Sequence, residues 1–184
     1  LTQSALDKGY QIEYLEKTGL SIVRPAEGER PARQFDRFKG RVMFPIHSMS
    51  GRVLGFGGRT LRSDKKVAKY MNSPESPVFD KGRLLFGLYQ HREHIRAARR
   101  AVVVEGNFDL ISLHQYGIKN VVATLGTALT IGQIKLLKRF TRNVTIAFDT
   151  DEAGIKASFR GIDMILEAGM NIKVLSLPDG EDPD

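Results

Sequence analysis

Short apolar runs alternate with amphipathic stretches through the second half of the chain. Val102-Val103-Val104 carries no polar alternation, which is the pattern of a strand buried on both faces. The rhythm predicts strands over 101–105, 120–124, 143–148 and 171–177. Helices are predicted over 108–116, 130–140 and 152–168, with Gly117 and Gly169 closing the first and last. Strands alternating with helices imply an α/β architecture, a parallel sheet flanked by helices.

The first hundred residues follow a different pattern. Leu6, Ile12 and Leu15 sit among charges over 4–18, predicting one or two short helices that stop at Gly19. The stretch 24–33 holds two Pro, a Gly and three Arg and reads as a loop. A strand is predicted over 41–47, a turn over 48–51 and a returning strand over 52–56, with Gly57 and Gly58 breaking it. Residues 65–81 read as a long irregular segment, a kind that is often functional. A basic helix over 87–100 bridges the two parts. The expected organisation is a smaller mixed α+β basic subdomain over 1–98, followed by the parallel-sheet domain over 99–184.

Composition sharpens this division. The 184 residues are 41% hydrophobic and 27% charged, with a net charge of +7. Residues 1–100 carry 20 Lys/Arg against 10 Asp/Glu, and 101–184 carry 8 against 11, a net +10 and −3. A basic half suited to polyphosphate precedes an acidic half suited to cations. No apolar run reaches the ~20 residues a membrane span needs, and the first residues have no signal-peptide core. Cysteine is absent, which excludes cysteine zinc sites in this segment and fits a reducing compartment. The chain opens on Leu and closes on Asp-Pro-Asp, so it is expected to be a fragment of a longer protein.

Three acidic clusters follow predicted strands: Glu105 and Asp109, Asp149 and Asp151, and Asp182 and Asp184. In open α/β sheets functional groups collect beyond the carboxyl ends of the strands. Carboxylates gathered there repel one another until a divalent cation is bound, and an oxygen-rich open site suits magnesium. Each cluster also has a structural explanation. Glu105 fits a helix-dipole partner, Asp109 a first-turn acid, Asp151 an N-cap, and the last cluster an acidic turn punctuated by Pro183. Capping leaves Asp149 unexplained. On the basic side, Arg59 follows Gly57-Gly58, where missing side chains let a phosphate approach. Lys69 beside Tyr70 pairs a cation with an aromatic, a combination suited to single-stranded nucleic acid. Gly126 and Thr127 offer backbone N–H groups near the acidic edge, or a simple helix-entry turn. His47, His91, His94 and His114 are scattered and receive no catalytic task.

Glu105-Gly106-x-x-Asp109, then Asp149-x-Asp151-x-Ala153-Gly154, then Asp179-Gly180-Glu181-Asp182-Pro183-Asp184 resembles the Toprim domain, shared by bacterial primases, topoisomerases, some nucleases and a recombination mediator. One branch is closer. Arg37-Phe38-Lys39-Gly40-Arg41-Val42-Met43-Phe44-Pro45-Ile46, Gly55-Phe56-Gly57-Gly58-Arg59, Lys69-Tyr70-Met71-Asn72-Ser73-Pro74-Glu75 and Lys81-Gly82-Arg83-Leu84-Leu85-Phe86-Gly87-Leu88 resemble the polymerase core of bacterial DnaG-type DNA primases. The likeness runs from about Asp36 to Asp184, and residues 1–33 match loosely.

The resemblance implies a Toprim-type fold and a magnesium-dependent nucleotidyl transfer that makes short RNA primers on single-stranded DNA. Manganese would be a substitute. Glu105, Asp109, Asp149, Asp151, Asp182 and Asp184 match metal-binding positions, with Glu105, Asp149 and Asp151 catalytic. Arg59, Lys69 and Lys81 match positions that hold nucleotide phosphates or template. Arg37, Arg41 and Tyr70 join them as nucleotide or DNA contacts. The implied partners are template, ribonucleoside triphosphates, the primer–template hybrid and, through a downstream domain absent here, the replicative helicase. Zinc is expected only in an absent upstream domain, and the location is the bacterial cytoplasm at the nucleoid. Asn107 and Thr150 depart from the family's usual residues without removing a ligand. Two rivals come from other classes. The first is a DNA-cleaving Toprim enzyme, a nuclease or a topoisomerase, and a topoisomerase needs a tyrosine nucleophile, for which Tyr10, Tyr14, Tyr70, Tyr89 and Tyr116 lack the context. A non-catalytic nucleic-acid adaptor would not need all three acidic clusters.

Overall fold

The computed structural model describes residues 1–28, 30–62, 67–126, 128–148 and 161–175. The chain divides into two units, Leu1–Ile46 with Val53–Phe79, and His47–Arg52 with Asp80–Asp184.

The first unit opens with α1 (Thr2–Asp7) and α2 (Ile12–Lys17), the latter turning Leu15 into the interior. β1 (Ser21–Arg24) and β2 (Arg33–Asp36) pair antiparallel, Ser21 opposite Asp36 and Arg24 opposite Arg33. The Pro- and Arg-rich stretch expected to be loop from 24 to 33 is therefore the connection of a hairpin, with its end residues in the strands. β2 has one apolar residue, Phe35, so no alternation announces it. Thr2 fastens this hairpin to α1. Its hydroxyl lies 2.7 Å from Ser21 Oγ and donates to Asp36 Oδ1 at 2.5 Å.

β3 (Arg41–His47), β4 (Val53–Thr60) and β5 (Tyr70–Asn72) form a second sheet in that order. Gly57 and Gly58 do not break β4 as expected. They pair with Asn72 and Met71 of β5. A Cβ at Gly58 would lie 2.7 Å from a Phe38 ring carbon, and one at Gly55 would lie 2.7 Å from the Phe79 ring. Glycine is used here for close approach of aromatic rings to the strand. The same pairing places a strand within the 65–81 stretch that was expected to be wholly irregular.

The second unit holds the 3₁₀ turn Lys81–Arg83, α3 (Leu88–Ala98), β6 (Ala101–Val104), α4 (Asn107–Gln115), β7 (Val121–Ala123), α5 (Ile131–Leu137), β8 (Asn143–Ile146), a helical stretch over 161–167 and β9 (Asn171–Val174). The four strands are all parallel, in the order β7-β6-β8-β9. The predicted strand–helix rhythm is present, with ends shifted by up to three residues where described. Residues 152–160 of the last predicted helix and 176–177 of the last strand lie outside the described residues. The core gathers Leu88 and Ile95 of α3, Ala101 and Val103 of β6, Val144 and Ile146 of β8, and Ile134 and Leu137 of α5. Each Leu, Ile and Val side chain among them contributes roughly 1.5–3 kcal/mol on burial. The predicted turn 48–51 closes between Ser48 and Arg52 and groups with this unit. There the ring of Tyr89 stacks on His47, and Arg92 lies over that ring and donates to Met49 O.

Candidate active site

Glu105 leaves β6 directly. That strand is internal, flanked by β7 and β8, so its carboxyl end opens between two others. Glu105 is half-buried and its Oε1 is shielded from solvent. Ala147 donates its N–H to Val103 O at 2.9 Å, which brings the described end of β8 beside the end of β6. Gly106 is the N-cap of α4 and Asp109 is its third residue. Asp109 Oδ2 accepts the Gly106 N–H at 2.8 Å. A side chain at Gly106 would press on that carboxylate, with its Cβ 3.0 Å from Oδ2. Asp109 thus completes the helix start through one lone-pair direction, and its carboxylate retains others. Two hard oxygen donors four residues apart, one of them with a buried oxygen, match magnesium in donor chemistry. Among the described residues no three histidines or carboxylates gather into a metal cluster. Asp149, Asp151, Asp182 and Asp184 lie outside the described residues. Gly126 has a left-handed φ of 71° and commits its N–H to Thr124 O at 2.7 Å. That amide serves a tight turn and not the acidic edge. Thr127 is outside the described residues.

Lys81 stands in a turn that other side chains lock. Asp80 Oδ1 accepts the Gly82 N–H at 2.9 Å. Thr130 donates to Gly82 O at 2.5 Å. Gln133 donates to both Lys81 O and Leu84 O at 2.9 Å. Thr130 and Gln133 also form the capping box of α5. The sequence reading missed both residues, although Thr-x-x-Gln before an apolar run is a legible helix-start signal. Gly132 has no room for a side chain, since a Cβ would lie 2.5 Å from Gly82 O.

His91 is buried and its Nδ1 lies 2.7 Å from Val121 O. A carbonyl only accepts, so Nδ1 carries the proton and donates. Burial lowers the basicity of this imidazole more than the Val121 carbonyl restores it, and His114 and His94 push it the same way. The ring stacks on His114 at 4.8 Å. These are packing roles.

The first unit carries the other basic candidates. Arg59 and Tyr70 are partners across β4 and β5. The Arg59 guanidinium lies 5.6 Å from the Tyr70 ring centre and Lys69 Nζ lies 5.5 Å from it. Two cations therefore attend one half-exposed ring; the sequence reading pairs Lys69 alone with Tyr70. Arg41 does something else. Its guanidinium donates to Ala68 O at 2.8 Å, and to Gly58 O and Lys69 O at 3.3 Å. Its donors hold the backbone beneath Lys69 and Tyr70. Arg37 is partly buried, and its Nε meets no acceptor among the described residues.

Residues 1–92 match the family described as the N-terminal domain of the DNA primase catalytic core, and residues 102–184 match the Toprim-like family. The DNA primase of Halalkalibacterium halodurans is 44% identical over all 184 residues, which span 30% of that protein's length. The Aquifex aeolicus primase, solved with its zinc-binding and RNA polymerase domains, is similar at a TM-score of 0.86 and 44% identity. The match covers 98% of this chain and 43% of that one. A DnaG primase catalytic domain bound to single-stranded DNA gives a TM-score of 0.85 at 41% identity, covering 97% of this chain and 56% of that one. With a primase-core domain over its first half and a Toprim-like domain over its second, the chain belongs to the DnaG-type DNA primase family.

Proposed function

We propose that this chain is the part of a primase that holds template, triphosphate and metal while RNA primers are made on single-stranded DNA. The reaction is nucleotidyl transfer. A 3′-hydroxyl attacks the α-phosphate of a ribonucleoside triphosphate, and pyrophosphate leaves. Magnesium, when bound, supplies Lewis acidity and charge neutralisation at the phosphates, and manganese substitutes for it. Glu105, Asp109, Asp149, Asp151, Asp182 and Asp184 are its proposed ligands, with Glu105, Asp149 and Asp151 nearest the chemistry.

The basic subdomain over 1–98 holds the phosphates and the template, and the domain over 99–184 carries the acids. Tyr70 stacks a template base while Arg59 and Lys69 meet the backbone on either side. Arg37 and Lys81 add phosphate contacts. Arg41 contributes by holding the Lys69 backbone. The whole protein adds an upstream zinc-binding domain and a downstream domain for the replicative helicase, retains the primer–template hybrid and works in the cytoplasm at the nucleoid. Among the described residues no helix is long and apolar enough to cross a membrane.

The observation that carries this reading is Glu105, a carboxylate with a buried oxygen at the open end of an internal parallel strand. The test is Asp149→Asn in the full-length protein. Magnesium binding and primer synthesis are expected to be lost with the fold retained, and wild-type primer synthesis would reject the metal role. Incubation with labelled DNA and magnesium, without nucleotides, separates synthesis from a DNA-cleaving activity.

A further inference from the structure

The rim of the parallel sheet opposite Glu105, where the strands begin, is cationic. Lys119 leads into β7, Arg99 and Arg100 into β6, and Arg139 and Arg142 into β8, and all five are exposed. Asn120, which follows Lys119, donates its side chain to Arg100 O and accepts the Val102 N–H, so the Arg100 backbone lies beside the start of β7. The Asn143 side chain reaches Arg99 O at 2.8 Å, so the Arg99 backbone lies beside the residue that follows Arg142. Neighbouring strands are ~4.8 Å apart, so these cations all spring from one edge of the sheet. Among the described residues none of the five forms an ion pair.

Two features hold this row in place. Asparagines at the starts of β7, β8 and β9 tether its backbone. Asn120 donates to Arg100 O at 3.0 Å, Asn143 to Arg99 O at 2.8 Å, and Asn171 to Asn143 Oδ1 at 2.9 Å. Arg99 also sits in the left-handed region at φ 49°, alone among the described non-glycine residues. That helix-ending position favours glycine. A side chain kept where it costs stability, on a backbone fastened by the Asn143 amide, points to a task for its charge.

We infer that this rim is a second binding surface for single-stranded nucleic acid, distinct from the Arg59–Tyr70 face and independent of the proposed catalysis. The row of cations meets the phosphates. Tyr116, 86% exposed just ahead of Lys119, offers a ring on which a base stacks, a feature that favours a nucleic acid over an acidic peptide.

The test measures anisotropy of a labelled oligo-dT strand with the 184-residue chain between about 50 and 200 mM salt. Arg100→Gln/Lys119→Gln/Arg142→Gln is compared with the parent, each with and without Lys69→Ala. The rim variant is expected to weaken binding at least tenfold. It should also flatten the log affinity against log salt slope by about 2, near 0.7 per lost phosphate contact, in both backgrounds. Unchanged affinity and slope overturn the inference. So does loss of polyglutamate binding with oligo-dT binding intact, which would make the rim a protein-docking face. Arg99→Gly supplies the control for folding. A higher melting temperature with weaker strand binding supports the assignment, and a higher melting temperature with unchanged binding contradicts it.

Discussion

Gln133 donates its amide to the carbonyl oxygen of Lys81 at 2.9 Å from a side chain with no solvent exposure. The same nitrogen reaches Leu84 O at 2.9 Å, and Oε1 accepts the Thr130 N–H at 3.1 Å. A buried carboxamide with three partners makes one conformation of the Lys81 turn far more favourable than others, because any shift leaves a buried polar group unpaired.

Gln133→Leu keeps the volume and removes all three bonds. It is expected to cost about 2–3 kcal/mol, since the partners left behind stay desolvated. Urea denaturation of the parent and variant reads this directly. A change within ~0.5 kcal/mol, the range of an ordinary surface substitution, would show that the turn is held by other means.

Arg41→Lys keeps the charge and loses the planar fork that reaches three carbonyls. Single-stranded DNA affinity is expected to fall about fivefold, equivalent to ~1 kcal/mol of lost ordering. The effect should vanish in a Lys69→Ala/Tyr70→Ala background, because Arg41 acts through those residues. A full effect persisting in that background would make Arg41 a direct phosphate contact.

Asp109 combines a cap with a candidate metal ligand, and two substitutions separate them. Asp109→Asn keeps an oxygen for the Gly106 N–H, so thermal stability stays close to that of the parent while magnesium affinity drops. Asp109→Ala loses the cap as well and costs about 1 kcal/mol more. Calorimetric magnesium titration that does not distinguish Asp109→Asn from the parent would leave Asp109 as a cap alone.

His91 sets a pH dependence. Burial lowers its folded basicity below the ordinary value of 6.5. The unfolded chain therefore binds the proton more readily, and stability rises with pH across that window. The contribution is complete above pH 6.5 and is lost as pH falls below it toward the folded value. His91→Gln should flatten the urea midpoint between pH 7.5 and pH 5, with His94 and His114 left in place in both proteins. An identical pH slope in parent and variant would assign the dependence to other groups.

Legibility followed the physics of burial. Val102-Val103-Val104 could be assigned from its composition because a strand covered on both faces tolerates no polar residue. Glu105 was findable for the same reason, as the first charge after an apolar run. Asp109 as a capping partner was weaker, since an acid in a first turn serves either purpose. β2 was not legible, because Arg33-Gln34-Phe35-Asp36 is mostly exposed and its pairing with β1 comes from the neighbouring strand.

By itself the sequence determined the strand–helix rhythm from Ala101 onward, the division of charge between the halves, and the acids that follow the strands. Those features are local, fixed by which residues must avoid water and which must meet it. Tertiary structure alone decided that Gly57 and Gly58 continue a strand, that Arg41 spends its donors on carbonyls 17 to 28 residues away, and that Arg99, Arg100, Lys119 and Arg142 share one rim. Each depends on groups distant in the chain, and only the packed fold sets which backbone or ring stands opposite them.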